Sequence, residues 1–469
     1  MHRRVLLWFL IATAQMGLCR AADPPRLQIR LQNHLTSYAS RPGSPFKCVV
    51  ICPFEVGGRI LIPEASTVYG TVRQAVPVHL GLVRERAALD LNFSEYQTPD
   101  GQRFLLRATL ASIDNAREEV TPKGRIKGVL AATNPDEMLG GIWEKPSLDM
   151  LYRPLEGVTG VAGEILDRFP MGPVGPAVLL GVRCLLLRFP EPEIYLPPGT
   201  DMELTVDESS TDFAPRPAPP VPNAPAELAQ WLGARPFRVE KPSGRRVDDV
   251  INVAFMGSAQ QLSDAFHDSG WYAAEQRTFG SLSRSYIAFN VKKTYPTAPV
   301  SKLLYQGKPP DLVFEKSLDT ICKRHHVRIW NAGSFEGQDI WLGAATHDTG
   351  VEFNRRTFLL THRIDKNLDA ERDKIAVDLN FAGCSQSVSY TPADGAHTAD
   401  LNPSVVTDGR VAIFSLQACS QTEHPDADSA PPPPGNKVSR LIRRVVLESR
   451  SYILRENVYY WAYEFIRHH

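Results

Sequence analysis

A proline-rich segment at residues 208–225 most constrains how this chain can fold, because it separates two stretches with different patterns. It has few large apolar side chains, and its prolines stand at positions 215, 217, 219, 220, 222 and 225. Such a composition favours a semi-rigid spacer over a packed element. The 469 residues also suffice for two or three separate cores. We therefore predict a β-rich domain at 23–207, a linker at 208–236 and a second domain at 237–469.

The first domain is predicted to be mainly β, of the sandwich or barrel type. Short apolar or alternating runs are typical of strands when turn residues, such as Pro63, Gly70 and Pro99-Asp100-Gly101, separate them. The runs lie at 27–31, 46–51, 59–62, 88–93, 104–110, 193–196 and 201–206. Residues 136–190 break the pattern and are interpreted as a helical insertion. Arg183 and Arg188 argue against a membrane span there.

The second domain is predicted to be α+β, a ferredoxin-like sandwich in the broad sense. A strand at 250–255 leads through Gly257-Ser258 into an amphipathic helix that ends near Gly270. Four strands then follow, at 311–315, 325–331, 339–346 and 356–363, before a helix at about 365–381 that Gly383 ends. One sheet with helices on one face fits this order.

The residues from 437 to 469 are predicted to form a helical tail. The tail ends in an aromatic cluster formed by Tyr459, Tyr460, Trp461, Tyr463 and Phe465. Docking of the tail onto the second domain is one interpretation. Peripheral contact with a membrane surface is the alternative.

The first 22 residues have the layout of a secretory signal peptide. A basic start at 2–4 precedes an apolar run at 5–14, and the small residues Ala21 and Ala22 mark the cleavage region. An uncleaved N-terminal anchor is the alternative. Removal of residues 1–22 leaves six cysteines, and an exported chain can form disulfides. Cys384 and Cys419 are the predicted pair, since a strand at 48–52 would hold its two cysteines about 13 Å apart.

Composition and motifs exclude several classes of function. The formal net charge is zero, which argues against a nucleic-acid partner held by electrostatics. The sequence has no GxSxG, P-loop, GxGxxG or HExxH motif. The most easily recognised hydrolase, nucleotide-binding and zinc-protease classes are therefore unsupported.

Residues 322–373 hold four of the twelve histidines and carry the candidate site. Side chains alternate along a strand, so His325 and His326 point to opposite faces. If the strands 325–331 and 339–346 form a hairpin, His347 and Asp348 come to lie beside that pair. His362 is predicted to lie at the far end of the sheet, near Trp330 and Trp341.

Two chemistries fit these residues. The candidate ligands of a divalent metal are His325, His326, His347 and Asp348, from which two histidines and the carboxylate would form the binding set. The candidate catalytic residues are His326, His347, Asp348 and Arg328, with a His–Asp pair moving a proton and an arginine, Arg328 or Arg324, holding a phosphate. A hydrogen-bonded structural pair of histidines is the plainer alternative. Asp365 is predicted to cap the helix that follows, and Asp369 to pair with Arg372.

The motifs RHHVRIW, WLGAATHDTGVEF and THRIDKNLDAERD, with the segments from about residue 245, resemble the LssY-like C-terminal domain family. The resemblance covers about 245–373 and implies an envelope location, with no established reaction. In the first domain, ILIPEASTVYGTV (60–72) and TPDGQRFLLRATL (98–110) resemble the β-barrel domain of VirB10/TrbI-type secretion-channel proteins.

Two functional hypotheses follow. The first is an exported, non-catalytic binding or scaffold module of the periplasm or cell envelope, whose partner is another envelope or secretion-system component. The second is a periplasmic hydrolase of a phosphoester or lipid-derived substrate, using the His/Asp set with or without a divalent metal. The hydrolase hypothesis requires the candidate side chains to converge in one pocket.

Overall fold

The computed structural model describes residues 25–80, 86–128, 192–207, 215–242, 246–276, 295–318, 323–354, 359–392, 404–421 and 435–455, with isolated residues between these ranges. The predicted signal peptide, the helical insertion at 136–190 and the aromatic cluster at 459–465 lie outside the described residues. Within the described part of the chain, no helix combines the length and the apolar character that crossing a membrane requires.

The first domain is a closed six-stranded antiparallel barrel, which confirms the mainly β prediction. Its strands are β1 (Leu27–Leu31), β2 (Leu35–Thr36), β3 (Pro45–Val50), β4 (Phe54–Val56), β5 (Arg59–Ile62), β6 (Thr67–Val76), β7 (Ala88–Gln97), β8 (Arg103–Ile113), β9 (Glu119–Val120), β10 (Ile126–Lys127), β11 (Tyr195–Leu196) and β12 (Asp201–Val206). The barrel order is β6-β3-β1-β12-β8-β7, and pairing of β6 with β7 closes it. Inward-facing apolar side chains such as Val68, Leu89 and Leu204 fill the interior.

The interpretation of Gly70 as a turn residue is wrong, and it hid the strand that closes the barrel. Gly70 lies in the middle of β6, opposite Phe46 of β3 and Phe93 of β7. A Cβ atom on Gly70 would stand only 2.6 Å from the carbonyl oxygen of Asn92 and would also overlap the Phe46 ring. The glycine is therefore needed for close packing inside the barrel, not for a turn.

The second domain is an α+β domain, as predicted. Its elements, with those of the preceding segment and the tail, are β13 (Arg216–Pro217), α1 (Ala226–Gly233), β14 (Arg238–Glu240), β15 (Arg246–Val250), β16 (Val253–Met256), α2 (Ala259–Asp268), β17 (Tyr272–Ala273), β18 (Leu312–Lys316), β19 (Arg324–Phe335), β20 (Gln338–Asn354), β21 (Leu359–Ile364), α3 (Leu368–Phe381), β22 (Ser385–Pro392), β23 (Arg410–Leu416) and α4 (Lys437–Arg455). The sheet order is β17-β18-β19-β20-β16-β23-β22, and β21 pairs with β20.

The centre of this sheet has the split βαβ arrangement of a ferredoxin-like sandwich. Strands β16 and β19 both pair antiparallel with β20, so they run parallel to each other with β20 between them. Strand β23 departs from that pattern because it pairs parallel with β16. The additional strand β22, which pairs antiparallel with β23, reverses the chain after α3 and accounts for this direction.

Both faces of the sheet are covered, whereas the sequence pattern indicated helices on one face. Helices α2 and α3 pack on one face against Phe255 and Trp341. On the other face, Leu228 and Leu232 of α1 join Ala254 and Leu342 in a second core. This second layer includes residues that were predicted to be linker: α1 spans Ala226–Gly233, and β13 pairs with β5 of the first domain.

The tail helix and the disulfide also tie distant segments together. Helix α4 docks on the barrel domain, whereas docking on the second domain was predicted. Leu447 joins the barrel core, and Arg443 pairs with Glu193 at 2.5 Å. Cys384 and Cys419 form a disulfide, as predicted, and Cys48 and Cys52 are free.

Candidate functional site

The β19–β20 hairpin sets the register of the candidate site. Its two-residue turn is Glu336-Gly337, and both residues have positive φ angles, 49° and 79°, as a type I′ turn requires. The pairing that follows places His325 opposite His347 and Arg324 opposite Asp348.

This register divides the predicted site residues between the two faces of the sheet. His325 and His347 share one face, and their rings stack with centroids 4.3 Å apart. Asp348 lies on the other face, because neighbouring residues of a strand point in opposite directions. The predicted grouping of His347 with Asp348 around one ion is therefore not formed. The residues on Asp348's face are Arg324, His326 and Arg328.

His362 also lies elsewhere than predicted. Strand β20 runs on to Asn354, so β21 pairs only with its last residues, and His362 stands opposite Val351. The expected meander would have placed it near Trp330 and Trp341. Because β20 extends past Asp348, where its pairing with β19 ends, His362 lies beyond the end of the hairpin that is distant from its turn.

The face that carries Asp348 is an internal ion-pair cluster. Arg324 donates to Asp348 at 3.1 Å and to Glu315 at 2.8 Å. His326 Nε2 lies 2.7 Å from the Thr346 hydroxyl. His326 and Asp348 are each only 2% exposed. Burial raises the pKa of Glu315 to about 8, against the opposing effect of Arg324.

Arg328 belongs to the same interior. Its guanidinium donates to the Ser301 hydroxyl at 2.9 Å and pairs with Asp249 at 3.4 Å. It is 2% exposed. A phosphate in solution would have to displace these partners in order to reach it.

The face that carries His325 is a different kind of site, because it meets the barrel domain. His325 Nε2 lies 2.8 Å from Asp114, the residue after β8, and Nδ1 lies 2.5 Å from Glu371 of α3. Burial opposes the charge of the imidazole, but Asp114 and Glu371 outweigh it and raise the pKa of His325 to about 10. Burial and the positive charge of His325 lower the pKa of His347.

Sequence reasoning missed both carboxylates of this site. Asp114 lies 211 residues before His325 and in the other domain. Glu371 lies in the DAERD segment, which was interpreted as a helix start. The pair predicted within this segment is confirmed, since Arg372 contacts Asp369 at 3.2 Å. The residue that caps α3 is Asn367 instead of Asp365, whose carboxylate accepts from the Asn367 amide.

The same boundary between the domains holds a buried network of charges. Asp378 of α3 contacts Arg30 of β1 at 2.8 Å, Lys374 at 2.9 Å and Lys316 at 3.0 Å. Asp201 of β12 contacts Arg30 and Lys374, both at 2.7 Å.

The physical chemistry of this network follows from its burial. Burial opposes ionisation of Asp378, but Lys316, Lys374 and Arg30 outweigh it and hold the pKa of Asp378 well below its usual range. Burial lowers the pKa of Lys316 to about 8. Because Glu371, Lys374 and Asp378 stand at helical spacing, one face of α3 carries all three of these groups.

Comparison with known proteins defines the second domain. Residues 238–411 match the family model described as the LssY C-terminus, which confirms the resemblance found in the motifs. The matched segment contains His325, His347 and Glu371, whereas Asp114 belongs to the barrel. We call the second domain the LssY C-terminal domain after this match. No curated protein matches the chain.

Thirteen solved chains match, among them ComB10 of the Com type IV secretion system of Helicobacter pylori. The match has 12% identity, covers 39% of this chain and 85% of that chain, and has a TM-score of 0.18. A TM-score this low carries no argument about fold or function.

Proposed function

We propose that this protein is a non-catalytic binding or scaffold module of the cell envelope, exported through its N-terminal segment. In this proposal the barrel and the LssY C-terminal domain act as one unit that binds another envelope or secretion-system component. The observation that carries the proposal is the buried charge network between Arg30, Asp201, Lys374 and Asp378, which fixes the orientation of the two domains.

The placement of the candidate catalytic residues also favours a scaffold over a hydrolase. His326, Arg328 and Asp348 are almost completely buried and hold partners within the fold. His347 lies on the opposite face. A phosphoester would therefore not meet these four side chains together, and general acid–base catalysis requires its groups within hydrogen-bond reach of the substrate.

Fractionation and in-cell cross-linking of the full chain test the proposal. We expect an envelope-fraction protein whose N-terminus lies near Asp23 and which cross-links to a defined envelope protein. The cross-link should weaken in Asp201→Asn, which loses the carboxylate that binds Arg30 and Lys374. The matched control is Glu203→Gln on the same strand, where the side chain is 40% exposed.

Two results would contradict the proposal. One is a cytosolic chain that retains residue 1. The other is turnover of phosphoesters or lipid esters by the purified chain that disappears in His326→Ala or Arg328→Ala while the fold persists. The second result would return the hydrolase hypothesis to first place, whereas the first would contradict both hypotheses.

A further inference from the structure

Three side chains from two domains converge at the boundary between the barrel and the LssY C-terminal domain. Asp114, His325 and His347 each offer a ligand atom, and these atoms lie within 4.8 Å of one another. The two histidines are direct cross-strand neighbours on β19 and β20. The backbone amide of Asp114 donates to Asp201 of β12 at 2.9 Å, which holds this barrel residue in place.

A buried carboxylate supports this group from behind. Glu371 is 2% exposed, and one of its oxygens lies 2.5 Å from His325 Nδ1. The contact directs Nε2 of the same ring towards Asp114. Metal-binding histidines are usually held in this way, with a carboxylate on the ring nitrogen that does not bind the ion.

Unsatisfied polar atoms at the site point to a ligand. Within the described residues, the second Glu371 oxygen and His347 Nε2 are buried and have no hydrogen-bond partner. Buried polar atoms in native proteins nearly always have a partner. A Zn²⁺ ion between the two histidines would give His347 Nε2 a partner. It would replace the proton on His325 Nε2, which is released to solvent, so that its two positive charges balance the carboxylates of Asp114 and Glu371.

We propose that Asp114, His325 and His347 form a Zn²⁺ site that joins the barrel to the LssY C-terminal domain, with Glu371 as the residue that positions His325. Two imidazoles and one carboxylate are a recognised three-ligand set for zinc, with a fourth position open to water. Ligand atoms of a tetrahedral zinc ion are about 3.4 Å apart, so small shifts of the three side chains, whose ligand atoms lie within 4.8 Å of one another, would suffice. This inference does not depend on the scaffold role.

The proposal differs from the set predicted in the sequence, because it replaces His326 and Asp348 with a residue of the barrel. Metal binding would depend on contact between the domains, because Asp114 reaches the histidines only when the domains are docked. An isolated LssY C-terminal domain would supply two ligands. For this reason the test uses the full chain.

The experiment is a competition titration of the purified full chain with Zn²⁺ and a chromophoric chelator. We expect one zinc per chain. We expect binding at least 10-fold weaker in Asp114→Asn and His347→Ala, and about 10- to 100-fold weaker in Glu371→Gln. The control His267→Ala removes a histidine that is 65% exposed and is not one of the proposed ligands, and it should bind zinc as the wild type does.

Substitution of Co²⁺ gives a reading that does not depend on the variants being folded. The wild type should show the intense visible bands of four-coordinate cobalt, and Zn²⁺ should abolish them. The proposal is overturned if the wild type takes up no zinc in competition and gives only the weak spectrum of hydrated cobalt. It is equally overturned if folded Asp114→Asn and His347→Ala bind zinc as tightly as the wild type.

Discussion

Asp378 is the residue on which the cations of the domain boundary converge. Its side chain is completely buried and contacts Arg30, Lys316 and Lys374. It also accepts a hydrogen bond from Trp271 Nε1 at 3.0 Å. A carboxylate with so many donors compensates charges that would otherwise be buried without a partner.

We expect Asp378→Asn to lower the free energy of unfolding by about 3 to 5 kcal/mol, because the substitution leaves buried cations uncompensated. Urea denaturation of the full chain measures this. The matched control on the same helix is Asp373→Asn. The Asp373 side chain pairs with Arg372 and is 55% exposed. The control should change stability by less than about 1 kcal/mol. Equal effects of the two substitutions would refute the role given to Asp378.

Glu315 should make stability depend on pH. Arg324, Asp348 and Glu275 are the charged groups that act on it, and burial raises its pKa from 4.5 to about 8. The folded state therefore retains this proton between pH 4.5 and 8, where the unfolded chain has lost it. Stability from this group is present below pH 4.5 and is lost as the pH rises through 8.

We expect the contribution of Glu315 to the free energy of unfolding to fall by about 3 kcal/mol between pH 5 and pH 8. The substitution Glu315→Gln should remove this pH dependence. Denaturation curves at several pH values measure the slope. Glu227→Gln, at an exposed position on α1, is the control and should keep the wild-type slope. A wild-type slope that Glu315→Gln leaves unchanged would contradict the assignment.

At the scale of residues, alternation along a strand was sufficient to place His325 and His326 on opposite faces. The same rule separates His347 from Asp348, but the predicted ligand set did not apply it to that pair. Neither Asp114 nor Glu371 could be assigned from local pattern, because their contacts with His325 arise from packing between elements far apart in the chain.

At the scale of elements, the Cys384–Cys419 disulfide joins the segment after α3 to the segment after β23. It closes a loop with a sequence separation of 35 residues that includes the edge strand β22 and its neighbour β23. Crosslinks of this length stabilise mainly by restricting the unfolded chain.

We expect the double variant Cys384→Ser with Cys419→Ser to lose about 2 to 4 kcal/mol of stability. Thermal unfolding under non-reducing conditions measures the loss, and wild-type protein in reducing buffer should match the variant. The control is Cys52→Ser, since Cys52 is free. A variant as stable as the oxidised wild type would show that the bond does not hold this loop.

Elements with a strong local signal were predicted closely. Strands β1, β5 and β12 have the predicted bounds, and Ser258, predicted to precede α2, caps it with a complete capping box. The sequence did not reveal β6 or the full length of β20. Gly70 in β6 resembles a turn residue until Phe46 is seen to fill the space beside it.

At the scale of the whole molecule, the barrel and the LssY C-terminal domain contact each other through charged side chains that are buried between them. Domains joined by a proline-rich segment are expected to move relative to each other unless their interface is extensive. Here Asp201 and Arg30 of the barrel share ion pairs with Lys374 and Asp378 of α3. Such pairs add modest net stability but select one orientation.

The two-domain organisation was visible in the sequence, whereas the contact between the domains was not. Composition separates a β-rich half from an α+β half, because each half has its own local pattern. The charges that join them are spread over β1, β12, β18 and α3, and each appears alone in its own segment. Only the folded arrangement shows that Arg30 and Asp378, 348 residues apart, form one ion pair.

The measurement that tests this account most directly is the distance between the two domains in solution. Spin labels introduced as unnatural amino acids at Arg103 of the barrel and Gln260 of α2, both exposed, would report it by pulsed electron resonance. We expect one narrow distance distribution in the wild type and a broader one in Asp378→Asn. A broad distribution in the wild type would contradict the claim that the two domains form one unit.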